Sequence, residues 1–496
     1  MFQLPSLPSY GLDKWIIVLS EEPNWKTRFE STPEMEGNGE TDYHCHLITI
    51  KELEEMEKKT KETPKLLNQT AGKESCCIFR VPQSLVEINE KAYHPQILSI
   101  GPYHHGKPHL KMIEEHKWKF LSEILTRTPP YRGNLNRYLR IIAPMEKQIR
   151  ECYSEFIHFS SFDLIQMMVL DGLFIIELIS KVGRVAPSDP ENPIFNMAWI
   201  PPFLCRDLLR LENQIPFFVL QTLFENTRVT RSGDGNQSLA GLILEFLSYT
   251  FDRRPDEVLK RCENLELEGK HLLDFFRKSF IPRRTPQKMT KNVNYCFARR
   301  KGKNDIPLLQ LIPCAKKLEA GGIKFKAKKD EMSFLKISFC NGVLEIPQIS
   351  IDDVITSFFL NSVAFEQCYS HCSKHMTAYA TFMGCLINKP TDAEFLCDRE
   401  VMENYFGNDE ELVHFFNNLG KEMAFDINNN YLSKVFEDVN RYSRNGWHVQ
   451  WAGLKRKYFD TPWSFTSALA ALLLLLLTMV QAFFAVYPYA GGKSPG

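Results

Sequence analysis

The chain has 496 residues, with 60 Lys and Arg against 60 Asp and Glu, so its formal net charge is zero; 44% of its residues are hydrophobic and 24% charged. This length holds two or three ordinary domains, the composition is that of a folded globular protein, and a balanced charge points away from nucleic acid or an acidic substrate. Thirteen cysteines, an odd number without a C-x-x-C pair, do not fit a compact disulfide scaffold; Cys205, Cys340 and Cys385 sit in apolar stretches where thiols behave as small hydrophobes, which fits a reducing compartment.

Residues 1–72 are polar and read as a poorly ordered arm, in which Lys51 to Lys61 form a short solvated helix. The early apolar run Trp15 to Leu19 is shorter than the 7–15 residues of a secretory h-region, so no signal peptide is expected. A mainly helical body follows over 73–460. Met112 to Leu125 places Ile113, Phe120, Leu121 and Ile124 near one face, a helical period. Phe162 to Ile179 is apolar nearly all round, yet Asp163, Asp171 and Glu177 lie inside it; a mid-helix charge costs about 2.5–3.5 kcal/mol on insertion scales, so a buried core helix is predicted rather than a crossing. Asp207 to Phe224 is interrupted by Pro216, and since proline suits the first turn of a helix, one helix is expected to end near Glu212 and another to start near Pro216. Residues 281–306 hold eight Lys/Arg without helical facing and read as a solvated linker.

A small β element is expected over about 322–351. Its centre is Asn341-Gly342 between two apolar runs, a strong hairpin signal because both residue types tolerate positive φ. Helices are expected over Val354–Ile387, over Asp392–Leu419 with Asp392 as N-cap, and over Tyr431–Trp451. Trp463 to Tyr487 is uncharged and carries six consecutive leucines, matching the roughly 20 apolar residues of a bilayer crossing. The sequence therefore predicts a transmembrane helix over 461–488, with Trp463 and Tyr487 at its interfacial ends and a short tail over 489–496. Lys455, Arg456 and Lys457 precede the span and only Lys493 follows it, so a single-pass, tail-anchored protein with a cytoplasmic body is expected, the lipid bilayer being its partner. Glycan on the acceptors Asn68-Gln69-Thr70 or Asn236-Gln237-Ser238 would contradict that orientation.

Three constellations carry potential chemistry. Gly101 to His109 holds His104, His105 and His109 in a turn-rich loop with no acidic or thiol ligand at defined spacing. Cys368, His371, Cys372 and His375 are zinc-type residues, but one straight helix cannot wrap four ligands around one ion; helix packing is the simpler reading. Asp171, Glu177 and Glu212 are carboxylates in apolar surroundings, able to act as acid and base or to accept from helix ends and pair with Arg206 or Arg210; Glu212, Asn213 and Gln214 at the proline-broken junction most simply satisfy orphan helix-terminal groups. No phosphate-binding, dinucleotide, nucleophile-elbow, zincin or kinase motif occurs. No catalytic residue, cofactor or metal is assigned.

Several ordered blocks resemble one family. They are IFRVPQSLVEINEKAYHPQILSIGPYHHGKPHLKMIEEHKWKFL, MMVLDGLFIIEL, DLLRLENQIPFFVLQTLF, KKLEAGGIKFK, ISFCNGVLEIPQISIDD, FFLNSVAFEQC and the leucine-rich terminal span. Together they cover about residues 76–488 and resemble the plant "domain of unknown function 247" proteins, also grouped as uncharacterised protein family 0481. The resemblance implies a plant-specific protein with a C-terminal hydrophobic segment, associated with membranes and often the plasma membrane. No catalytic activity is established for such proteins, so no functional residue is carried over. Some grass members are implicated in pollen–stigma self-incompatibility, which suggests recognition or signalling. The expected function is a membrane-anchored, non-enzymatic interaction protein with unnamed protein partners. The alternative is a membrane-tethered hydrolase or transferase using a carboxylate or histidine of the body.

Overall fold

The computed structural model describes residues 16–20, 45–61, 66–128, 134–187, 189, 191–227, 238–251, 269–282, 311–329, 331, 333–421, 423–444 and 462–490. The chain divides into two compact units, Met1–Leu67 and Asn68–Gly496. In the first, β1 (Ile16–Ser20) and β2 (Cys45–Thr49) pair in parallel with Ile16 opposite Cys45. The helix read from the charged run is present as α1 (Ile50–Lys61), and Lys58, Lys59 and Lys61 in its last turn complement the negative end of the helix dipole.

The second unit is mainly helical. In α2 (Lys111–Arg127) the predicted face is the buried one: Ile113, Phe120, Leu121 and Ile124 are all inside. Asn134 caps α3 (Leu135–Ile142) by accepting from the Arg137 N–H, and Ser160 caps α4 (Ser161–Val182) by accepting from the Asp163 N–H. Helix α4 is the central strut, buried from Leu164 to Lys181 apart from Gln166, and packed by α2 and α3. Then follow α5 (Ile200–Leu208), α6 (Phe217–Thr227), α7 (Leu239–Thr250), α8 (Leu272–Lys278) and α9 (Ala315–Ala320); α6 and α7 also pack on α4. Pro216 does precede a new helix, but α5 stops at Leu208, four residues earlier than read from the sequence. The side chains of Glu212 and Asn213 serve other backbone segments instead, as described below.

Strands β3 (Lys324–Lys328), β4 (Ser338–Cys340) and β5 (Val343–Pro347) form one sheet in the order β3-β5-β4. The predicted hairpin joins β4 to β5, with Cys340 opposite Val343 and positive φ at both Asn341 (50°) and Gly342 (77°). Strand β3 adds in parallel to β5. Strand β6 (Ile349–Ile351) pairs in parallel with β7 (Met402–Asn404) across the following helices.

Those helices are shorter than their sequence readings. Val354–Ile387 is two helices, α10 (Asp353–Cys368) and α11 (His375–Leu386). The buried Glu366 of α10 accepts from the N–H groups of Met376 (3.1 Å) and Thr377 (2.8 Å), so a carboxylate of one helix satisfies the open amides of the next and the chain must turn between them. Asp392 is not an N-cap: Lys389 holds that place, Pro390 begins α12 (Pro390–Asp398), and Asp392 accepts from the Lys389 N–H at 3.2 Å. After β7 come α13 (Asp409–Lys421) and α14 (Ser433–Ser443).

The last helix, α15, spans Pro462–Ala490, and its described side chains, Trp463 and Leu472 to Leu477 among them, are exposed. Among the described residues no helix is long and apolar enough to cross a membrane. This corrects the predicted transmembrane helix between Trp463 and Tyr487, and with it the single-pass, tail-anchored part of the expected fold class; the mainly helical body with small sheets stands. Lys455, Arg456 and Lys457 lie outside the described residues, as does the basic stretch over 283–306.

Candidate functional site

The irregular segment between α5 and α6 collects the carboxylate and amide side chains on which two upstream loops are built. Glu212, 6% exposed, is its centre. One oxygen accepts from the Val81 N–H at 2.8 Å and the other from Arg80 Nη1 at 2.8 Å, with His104 Nε2 3.0 Å away. Burial pushes this carboxyl up, but the bonds from His104, Val81 and Arg80 outweigh it and hold the group at about 2, well below the usual carboxylate range. The same burial lowers His104 against the pull of Glu212. Arg80 also bonds Glu155 and lies over the Tyr103 ring, 4.1 Å from its centroid.

Asp207 and Asn213 organise the neighbouring loop. Asp207 accepts from the N–H groups of Gln96, Ile97 and Leu98 at 2.8–3.0 Å and from Arg210 Nε at 2.8 Å. Asn213 accepts from the Ile100 N–H at 2.7 Å and donates to the Leu98 and Asp207 carbonyls. One residue on, the Gly101 N–H donates to Asp171 Oδ2 at 2.7 Å, while Lys117 Nζ reaches Asp171 Oδ1 at 2.6 Å and the Ser99 carbonyl. Gly101 has φ +72°, and a Cβ there would run into the Gln214 carbonyl. Segment 96–101, which lacks strand or helix partners, thus has the amides of Gln96, Ile97, Leu98, Ile100 and Gly101 met by side chains of α4, α5 and the segment after α5.

Two further buried networks follow the same plan. Glu177 of α4 receives both Arg127 nitrogens, at 2.9 and 2.6 Å. Arg277 of α8 is fully buried between Asp274 (2.9 Å) and Glu366 (2.8 Å), tying α8 to α10. His271 caps α8: Nδ1 accepts from the Asp274 N–H at 3.3 Å, and Nε2 lies 3.1 Å from the Cys77 carbonyl. Those partners require the neutral tautomer with its proton on Nε2, and burial lowers the group to about 4.

Of the sequence candidates, Glu212 and His104 come together and Asp171 joins the same loop, whereas Glu177 serves a separate ion pair. His105 is exposed with its ring against Phe159, and His109 lies 3.2 Å from the Pro95 carbonyl. Cys368, His371, Cys372 and His375 do not share one helix. His371 faces the Gly72 carbonyl, Cys372 donates to the Tyr369 carbonyl, and His375 stacks on Tyr431 with ring centroids 4.5 Å apart. Burial pushes the Cys368 and Cys372 thiols up to about 11, against the thiolate that zinc needs, and among the described residues no His, Cys, Asp and Glu group could hold a metal. Arg206 pairs with Asp353, at 3.7 Å, rather than with one of the three candidate carboxylates. Arg80, Lys117 and Asp207 are not among the sequence candidates, whereas Asn213 is expected there to satisfy backbone groups and does so. A signal existed in DLLRLENQ, where five polar side chains are set into an otherwise apolar run.

The segments that build this site, 78–82, 96–104, 171 and 207–214, all lie within the match, over residues 78–477, to the family model described as plant protein of unknown function (DUF247). The chain is 38% identical over 439 residues to UPF0481 protein At3g47200 of Arabidopsis thaliana, covering 87% of this chain and 90% of that protein. It is 24% identical over 492 residues to putative UPF0481 protein At3g02645 of the same plant, covering 83% and 90%. No solved structure matches. With most of its length matched by the family model and by a 38% identical relative, the chain belongs to the DUF247 (UPF0481) family of plant proteins of unknown function.

Proposed function

We propose that this chain is a non-enzymatic interaction protein of the recognition or signalling type, and that its buried carboxylates are struts rather than catalysts. One observation carries the reading: each oxygen of Asp171 and of Glu212 is already occupied by a main-chain N–H, a cation or an imidazole, in side chains 2% and 6% exposed. A general acid or base must reach a substrate proton, and these groups spend their hydrogen-bonding capacity inside the fold. Exposed aromatics elsewhere, Trp118, Phe156 and Phe162 among them, supply the apolar surface that protein contacts use.

The hydrolase or transferase alternative rests on His104, whose Nδ1 has no hydrogen-bond partner among the described residues while Nε2 faces Glu212. At 1% exposure that nitrogen is closed to substrate. The deciding measurement is turnover of chromogenic ester, phosphate and glycoside substrates by the purified chain and by its His104→Gln and Glu212→Gln variants. No turnover above the buffer rate is expected; a turnover that either variant abolishes, with the fold intact, would overturn the proposal.

A further inference from the structure

We propose that the groove between α3 and the start of α4 docks a polypeptide segment presenting a bulky apolar side chain beside a carboxylate. The inference rests on the non-enzymatic reading above and names the chemistry of one partner. The groove is shallow and open to solvent, with a volume of about 260 Å³, and its lining is largely apolar, from Leu139, Ala143, Phe162 and Ile165. That is below the about 300–1,000 Å³ of small-molecule pockets, so it suits a side chain or two of a protein rather than a free ligand.

Its rim defines the charge of the occupant. Glu146 is used within the fold: its Oε1 accepts from Arg150 Nε at 2.9 Å and from the Ser161 hydroxyl at 2.8 Å. Arg140, exposed in the last turn of α3, makes no hydrogen bond or ion pair among the described residues. The groove therefore offers an apolar floor and one unneutralised guanidinium. Phe162 adds the second mark of a contact surface. It is 64% exposed in the first turn of α4. Aromatic and arginine side chains side by side are the residue types that dominate binding energy at protein interfaces. A complementary segment places Leu or Phe on the floor and Asp or Glu about one helical turn away, against Arg140.

The test uses the full-length chain and two fluorescein-labelled amphipathic peptides, identical in their Leu and Phe positions, one flanked by Glu and its twin by Lys. Fluorescence anisotropy is expected to show saturable binding of the Glu peptide, about fivefold tighter than its twin. Arg140→Glu should reverse that preference, and Phe162→Ser should weaken both peptides by about tenfold or more. Circular dichroism melts of both variants establish that these surface changes leave the fold in place. Absence of saturable binding, equal binding of the twins, or a preference that Arg140→Glu leaves unchanged would each overturn the groove assignment. Turnover lost in Glu212→Gln would instead sink the non-enzymatic reading and leave these binding results standing.

Discussion

Arg80 and Glu212 stand 132 residues apart in the chain and meet at 2.8 Å. The pair is lopsided: the arginine side chain is 39% exposed and the glutamate 6%. Removing the charge of Glu212 therefore takes away the inner half of the contact. In Glu212→Gln the shape is kept, but one acceptor becomes an amide N–H facing groups that themselves donate. We expect a loss of roughly 2–4 kcal/mol, less than for a fully buried pair because Arg80 can turn to water. Urea unfolding of the wild type and the variant measures it; a change under about 0.5 kcal/mol would show that Glu212 is not a strut.

Acid should unfold the protein in two separable windows. His271 has a folded pKa of about 4 against an ordinary 6.5, so the unfolded chain takes up the proton first and stability falls as pH drops from about 6.5 to 4. Glu212 is held at about 2 against 4.5, so its contribution is present above 4.5 and is lost as pH falls from there towards 2. Between pH 7 and pH 5 His271 contributes about 2 kcal/mol of this loss, and His104, which burial also lowers, adds to it with the same sign. His271→Asn keeps a capping side chain without the titration. Its unfolding free energy should therefore lose about 2 kcal/mol less than the wild type over that interval; an equal loss in both proteins would remove His271 as the cause.

Gly101 has both a backbone reason and a contact reason to be glycine. Its φ of +72° is strained for an L residue, and a Cβ would press on the Gln214 carbonyl. Neither neighbour can yield cheaply, because the Gln214 carbonyl accepts from the Tyr153 hydroxyl at 3.1 Å and the Gly101 N–H is bonded to Asp171. Gly101→Ala should cost about 2–4 kcal/mol. Gly106→Ala, at φ +81° but with open space around its Cβ, isolates the backbone strain and should cost about 1 kcal/mol. Equal costs at the two positions in chemical denaturation would contradict the steric contribution.

Local physics was legible in the sequence. The spacing of Ile113, Phe120, Leu121 and Ile124 gave α2, and the charges inside Phe162–Ile179 marked a core helix. Asn341-Gly342 gave the hairpin because its signal is contained in two residues. What could not be read depends on separation in the chain. No spacing relates Glu212 to Arg80, or Lys117 to Asp171, because the folded helices choose those pairs. The break between α10 and α11 was hidden for the same reason, since Glu366 caps a helix that begins nine residues later. At the C-terminus composition alone points to a crossing over Trp463 to Tyr487, and no helix among the described residues has the length and apolarity for one.

Lys117 and Asp171 offer the sharpest measure of what these networks contribute. Lys117 Nζ has no exposure and bonds Asp171 at 2.6 Å, as well as Glu114 and the Ser99 carbonyl. Lys117→Met keeps the packing of the stem but leaves Asp171 buried with only the Gly101 N–H as partner, and should cost about 3–5 kcal/mol. Adding Asp171→Asn removes the uncompensated charge while its side-chain oxygen can still accept from Gly101. The double variant should therefore be more stable than Lys117→Met alone, although it carries one substitution more. A double-mutant cycle by urea unfolding is expected to give a coupling above 1 kcal/mol, as for groups in direct buried contact. Additive losses would mean that Lys117 is held by Glu114 and Ser99, and that Asp171 depends on Gly101 alone.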